Sequence, residues 1–131
     1  MSWDIFAMDV PHEFESVEVI PLDFKPKSLG TRSAVIVKIK EVFPTADFSD
    51  PSWGLIDGDG WSIEVSMGED GECDGFTLHV RGSDGAVAAV TSILDGLRIR
   101  AIDAQTGEFF VAGPTAIESF QAWHAWRERA G

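Results

Sequence analysis

The sequence predicts an α+β fold in a single domain spanning 1–131: a mainly antiparallel sheet of four to five strands, two helices on one face and an additional C-terminal helix. Three observations predict it. Two stretches repeat apolar residues at helical spacing. The segment between them alternates apolar and polar residues around glycine-rich turns. The length of 131 residues suits one core, because a chain of this size buries about two-thirds of its unfolded surface.

Taken in order, Trp3 to Asp9 mixes polar and apolar residues at short spacing and reads as a first strand, ended by Val10-Pro11 because proline cannot donate to a ladder. From Asp9 to Gly30 the chain carries Pro11, Pro21 and Pro26 among five acids, a long loop whose Val17, Ile20, Leu22 and Phe24 are expected to pin it across the core. Thr31 to Phe43 is a helix: Val35, Ile36, Ile39, Val42 and Phe43 share one stripe, Lys38, Lys40 and Glu41 fall elsewhere, and Pro44 stops it. Residues 46–52 read as a turn-rich connection. Trp53 to Asp57 and Trp61 to Met67 flank Gly58-Asp59-Gly60 as a hairpin, and Phe76 to Arg81 completes a three-strand meander after a second turn at 69–75. Alternation puts Ile63, Val65, Met67, Phe76, Leu78 and Val80 on the core face and Ser62, Glu64, Ser66, Thr77, His79 and Arg81 on the polar face.

Ser83 is then placed to cap a second helix with the stripe Val87, Val90, Leu94 and Leu97, and Gly96 is expected to end it in a left-handed conformation. Arg98 to Asp103 returns as a strand, Thr106-Gly107 turns, and Phe109 to Val111 continues. Pro114 and Thr115 open the last helix, with Thr115 and Glu118 at capping-box spacing. In it Ile117, Phe120, Trp123 and Trp126 recur every third residue, spreading apolar surface over half its circumference. That width suits either a groove in the same chain or an interface, with the helix on the same sheet face as the others or on the opposite one.

Composition limits function. There are 22 acids against 10 Lys and Arg, a net charge of −12. That disfavours direct contact with nucleic acid or an anionic membrane and favours basic partners. The excess is localised: six acids and no Lys or Arg before residue 25, ten acids and no Lys or Arg over 41–80, and five bases without an acid over 25–40. No run approaches the ~20 apolar residues of a membrane-spanning helix. The lone Cys73 excludes an internal disulfide, and Met1 to Phe6 lacks the basic and apolar regions of a signal peptide, so a reducing cytoplasm is the expected location.

Chemical motifs are sparse. Asp70-Gly71-Glu72-Cys73-Asp74-Gly75 resembles the opening of a calcium loop of the EF-hand type, but its third position is Glu72 and its twelfth, where a bidentate glutamate is required, is Arg81. His12, His79, His124 and Cys73 lack zinc-ligand spacing, and no nucleotide-binding glycine loop or nucleophile elbow occurs. No metal and no cofactor is expected. One constellation stands out: Glu64, His79, Arg81 and Arg100 all project from the polar face. Glu64 and His79 could serve as general acid and base with Arg81 binding an anion. The simpler reading of the same residues, and the one favoured, is a solvated cross-strand ladder of opposite charges, worth roughly 0.2–1 kcal/mol per pair.

At Trp3-Asp4-Ile5, Pro51-Ser52-Trp53-Gly54, Gly60-Trp61-Ser62-Ile63-Glu64-Val65, His79-Val80-Arg81-Gly82, Leu97-Arg98-Ile99-Arg100-Ala101-Ile102-Asp103 and Gly107-Glu108-Phe109-Phe110, the chain resembles a group of short bacterial proteins of unknown function. The resemblance covers about residues 1–110. It implies a bacterial cytosolic protein and transfers no catalytic residue.

The residues favour binding over catalysis. The first expectation is a non-enzymatic acidic module, of the immunity-protein or inhibitor kind, that covers a basic protein partner with Trp53, Asp57, Asp59, Trp61, Glu69, Asp70 and Glu72. The second is a small hydrolase or ligand-binding enzyme using Glu64, His79 and Arg81. The third is a structural homodimer through Phe120, Trp123 and Trp126.

Overall fold

The computed structural model describes residues 2–111, 116–118, 120–122 and 125. It is α+β, and its sheet is larger than the sequence predicts. Seven strands pair antiparallel throughout: β1 (Trp3–Met8), β2 (Asp47–Asp50), β3 (Trp53–Gly58), β4 (Trp61–Ser66), β5 (Gly75–Gly82), β6 (Arg100–Asp103) and β7 (Glu108–Phe109). Their spatial order is β2-β3-β4-β5-β1-β6-β7. The additions to the expected four to five are the edge strands. β2 is polar, and a register shift between Asp47 and Asp50 breaks its alternation; β7 has only two residues. Period-two alternation needs an unbroken run of several residues, which neither the four-residue, irregular β2 nor the two-residue β7 supplies.

Helix α1 (Arg32–Val42) begins where Thr31 caps it, its Oγ1 accepting from the Ala34 amide at 3.2 Å. Helix α2 (Gly85–Leu97) buries Ala86, Val87, Ala89, Val90, Ile93 and Leu94. Its ends differ from expectation. Asp84, not Ser83, occupies the N-cap position, without a side-chain cap. Gly96 lies inside the helix, where a Cβ would meet Val42 Cγ2 at 2.6 Å. Gly96 is thus a point of close helix approach, and Arg98 takes the left-handed position (φ 56°), with the Ile99 amide donating back to the Leu94 carbonyl at 3.1 Å.

The helices cover the face formed by Trp3, Ile5, Ala7, Ile56, Ile63, Val65, Leu78, Val80 and Ala101, all buried. Positions 116–118, 120–122 and 125 form a C-terminal helix. It packs on this same face, because Phe120 meets Trp3 edge-on with centroids 5.3 Å apart. Among the described residues no helix is long and apolar enough to cross a membrane.

The loop after β1 does not strap the core. Val10 is buried, but Val17, Ile20 and Phe24 are half-buried and Leu22 is fully exposed. Arg100 holds the loop instead: it alternates with the buried Ala101 and so projects from the other sheet face, where its guanidinium donates to the carbonyls of Pro11 (3.0 Å) and Phe14 (2.7 Å) and lies 3.5 Å from the Phe109 ring centroid. A 3-10 turn (Val17–Val19) and an edge-on Phe14–Phe24 pair complete it. The loop therefore covers the β6–β7 end of the outer face and leaves the β2–β5 part open.

Candidate functional site

The strand registers arrange the outer face as rows. Leu55, Glu64, His79 and Asp4 lie side by side across β3, β4, β5 and β1; Trp53, Ser66, Thr77, Phe6 and Ile102 form the next row; Asp57, Ser62 and Arg81 form the row beyond Leu55. Neighbours in a row are about 4.5–5.5 Å apart, within contact distance. Large apolar groups stand in the open part of this face: Trp53 is 45% exposed, Phe6 40% and Leu55 37%. A groove of about 340 Å³ runs between Phe6 and Met8 on one side and Ser66 and Thr77 on the other.

The polar residues pair differently from the expected grouping. His79 is opposite Asp4, and its Nδ1 lies 2.8 Å from Asp4 Oδ1. A carboxylate only accepts, so this contact puts the ring proton on Nδ1. Ser2 Oγ also donates to Asp4 Oδ1. The other side of the His79 ring stacks on Trp53, with centroids 5.2 Å apart and planes 17° apart. Glu64 does not reach His79 as a partner but pairs with Arg81, 3.1 Å away. Arg100, two strands beyond β5, is occupied by the loop. Two opposite-charge pairs result, Glu64–Arg81 and Asp4–His79, and Asp4 is the member the sequence pattern does not single out. Its place opposite His79 depends on β1 lying between β5 and β6, which no local pattern encodes.

On β2 the register shift places both Asp47, opposite Leu55, and Asp50, opposite Trp53, on the outer face. Each carboxylate accepts from the amide and hydroxyl of the serine two residues on, Ser49 and Ser52 respectively, through Oδ1. These hydrogen bonds hold both carboxyls below the usual carboxylate range. The repeated Asp-x-Ser of Asp47-Phe48-Ser49-Asp50-Pro51-Ser52 is the sequence signal for it, although it reads first as turn.

No known protein family, curated protein or solved structure matches this chain. Function must be read from the site itself.

The remaining expected binding residues scatter. Trp53 and Asp57 lie on the outer face. Trp61 lies on the core face, half-buried and edge-on to Phe43 with centroids 6.2 Å apart, its ring lying over Gly58. Asp59 is at the β3–β4 hairpin tip. Glu69, Asp70 and Glu72 are on the β4–β5 loop, about 20 Å away at the other end of the strands. There Glu72 accepts from Ser28 Oγ, in the segment before α1, and Asp70 lies 3.9 Å from Arg32 in the first turn of α1. The two acidic loops are not one surface. Of the expected interface residues, Phe120 is buried in its own chain's core, while Trp123 and Trp126 lie outside the described residues.

Cys73 is buried, its Sγ 3.4 Å from the Gly75 carbonyl, and burial pushes the thiol up. Among the described residues no group of three or more His, Cys, Asp or Glu could hold a metal ion.

Proposed function

We propose that the chain is a non-enzymatic protein-binding module that docks a basic protein through the open part of its outer sheet face. The observation that carries this reading is the exposed Trp53, Leu55 and Phe6 rimmed by Asp4, Asp47, Asp50, Asp57 and Glu64. Arg81 stands beside them, paired with Glu64. Large aromatics surrounded by charge are the usual composition of interface anchors. The net charge of −12 would steer a basic partner toward the protein and raise its association rate.

The test uses the full chain as immobilised bait in lysate of its own cells, with mass spectrometry of what is retained at low and high salt. A basic protein held at low salt, released at high salt, and lost with Trp53→Ala or the charge reversal Asp57→Lys is expected. Retention unaffected by salt and by both substitutions would overturn the reading.

A second reading is favoured by the Asp4–His79 contact. With the proton on Nδ1, Nε2 is the basic nitrogen, as a general base requires. Faster hydrolysis of p-nitrophenyl acetate or phosphate by the wild type than by His79→Ala would support it; equal rates would eliminate it.

A further inference from the structure

We propose that Trp53 is an arginine subsite, on which a guanidinium of the basic partner stacks while Asp50 supplies its ion-pairing carboxylate. This inference rests on the docking reading and narrows it from positive charge in general to one side chain.

The ring is prepared for such a contact. Ser2 and His79 both bond Asp4, Asp4 fixes His79, and His79 lies nearly parallel to Trp53, so the indole is held from one side while almost half its residue surface stays in water. An exposed aromatic whose orientation is already set loses little freedom on binding. Asp50 is the cross-strand neighbour of Trp53, and Asp47 is one step along the same edge. Among the described residues neither carboxylate forms an ion pair within 4.0 Å, and the nearby Lys40 and Arg32 act on Asp47 and Asp50 only as weaker, longer-range charges. Both are anchored through Oδ1, leaving Oδ2 to accept from a new donor.

Guanidinium and ammonium differ in what they can use here. A planar guanidinium stacks on an indole while its edge donates to a carboxylate; an ammonium is a compact, strongly hydrated charge with no face to stack. The protein already makes an arginine–aromatic contact at the far edge of the same sheet face, where Arg100 lies 3.5 Å over the Phe109 ring while its edge donates to backbone carbonyls. At Trp53 the aromatic and the acceptors are present, and the cation would come from outside.

The experiment titrates fluorescein-labelled octa-arginine and octa-lysine peptides with the full chain at low salt, read by anisotropy. The wild type should bind octa-arginine roughly two- to tenfold more tightly than octa-lysine. Trp53→Ala should abolish that preference and leave octa-lysine binding nearly unchanged. Trp53→Leu, which keeps apolar bulk and removes the ring, should do the same and guards against misfolding of the alanine variant. Equal binding of the two peptides by the wild type, or a preference that survives both substitutions, overturns the arginine subsite and leaves the acidic docking face standing. Failure of both peptides to bind overturns the docking face and the subsite together.

Discussion

Gly82 has a φ of +103°, and a Cβ there would sit 2.3 Å from the Gly60 carbonyl oxygen and 2.6 Å from the Trp61 Cα. Both obstacles are backbone of the neighbouring hairpin, which cannot yield without disturbing the β4–β5 pairing. Gly82→Ala should therefore cost more than about 2 kcal/mol. Gly68→Ala, at a positive φ with open space around it, should cost about 1 kcal/mol; urea midpoints of the two variants measure the difference. Asp47 and Asp50 make a prediction of opposite character. Their folded pKa values are lowered, first by the serine hydroxyls and then by the serine amides. The folded state thus favours their ionised form. The stability they contribute is fully present above the unfolded carboxyl value of about 3.9 and is lost as pH falls through the lower folded value. The stability gap between wild type and Asp47→Asn/Asp50→Asn should be constant above about pH 5 and should shrink below about pH 4 in urea titrations. A constant gap across that range would contradict the assignment.

At the scale of elements, what was legible followed periodicity. The stripe of α1, the meander from β3 to β5 and the first strand all bury one face against a common core, and burial of one face is what periodicity records. The ends of elements were less legible. Gly96 has the composition of a helix terminator, yet it sits where α1 and α2 touch, and Arg98 carries the left-handed turn. Arg98→Gly should stabilise the protein by up to about 1 kcal/mol, read as a raised thermal midpoint, because glycine enters that conformation without a Cβ penalty. Arg100 sits in a strand, but its energetic role is in the loop it holds. Its guanidinium supplies the two hydrogen bonds to Pro11 and Phe14. Arg100→Met keeps much of the stem's packing and removes those donors. It should speed protease cleavage within 11–24 severalfold while leaving protection of the β4–β5 amides unchanged by hydrogen exchange.

For the whole molecule, the decisive arrangement is the asymmetry of the sheet. One face carries α1, α2 and the C-terminal helix; the other is covered by the loop at the β6–β7 end and open from β2 to β5. Phe120 belongs to the covered face, buried against Trp3, which in turn donates from Nε1 to Asp103 at 2.9 Å. Phe120→Ala should destabilise the fold by about 3–5 kcal/mol, the usual cost of emptying a buried aromatic site. Urea unfolding measures it, and light scattering on the same samples should show no change of assembly at concentrations where the variant remains folded. A variant of unchanged stability that changed its assembly would instead place Phe120 in an interface.

The amino-acid sequence by itself determined the α+β class, the main helices, the alternation that sorts core from solvent face, and the acidity of the chain, because each follows from local spacing or from composition. Only the tertiary structure decided which strands are neighbours. With β1 set between β5 and β6, Asp4 meets His79; with β2 shifted in register at the edge, Asp47 and Asp50 join Trp53; and the β4–β5 loop, at the end of the strands opposite the β3–β4 hairpin, holds its acids apart from Asp59. Contacts between residues far apart in the chain depend on strand order and register, and a side-chain pattern with a period of two sets the face a residue occupies without naming the residue beside it.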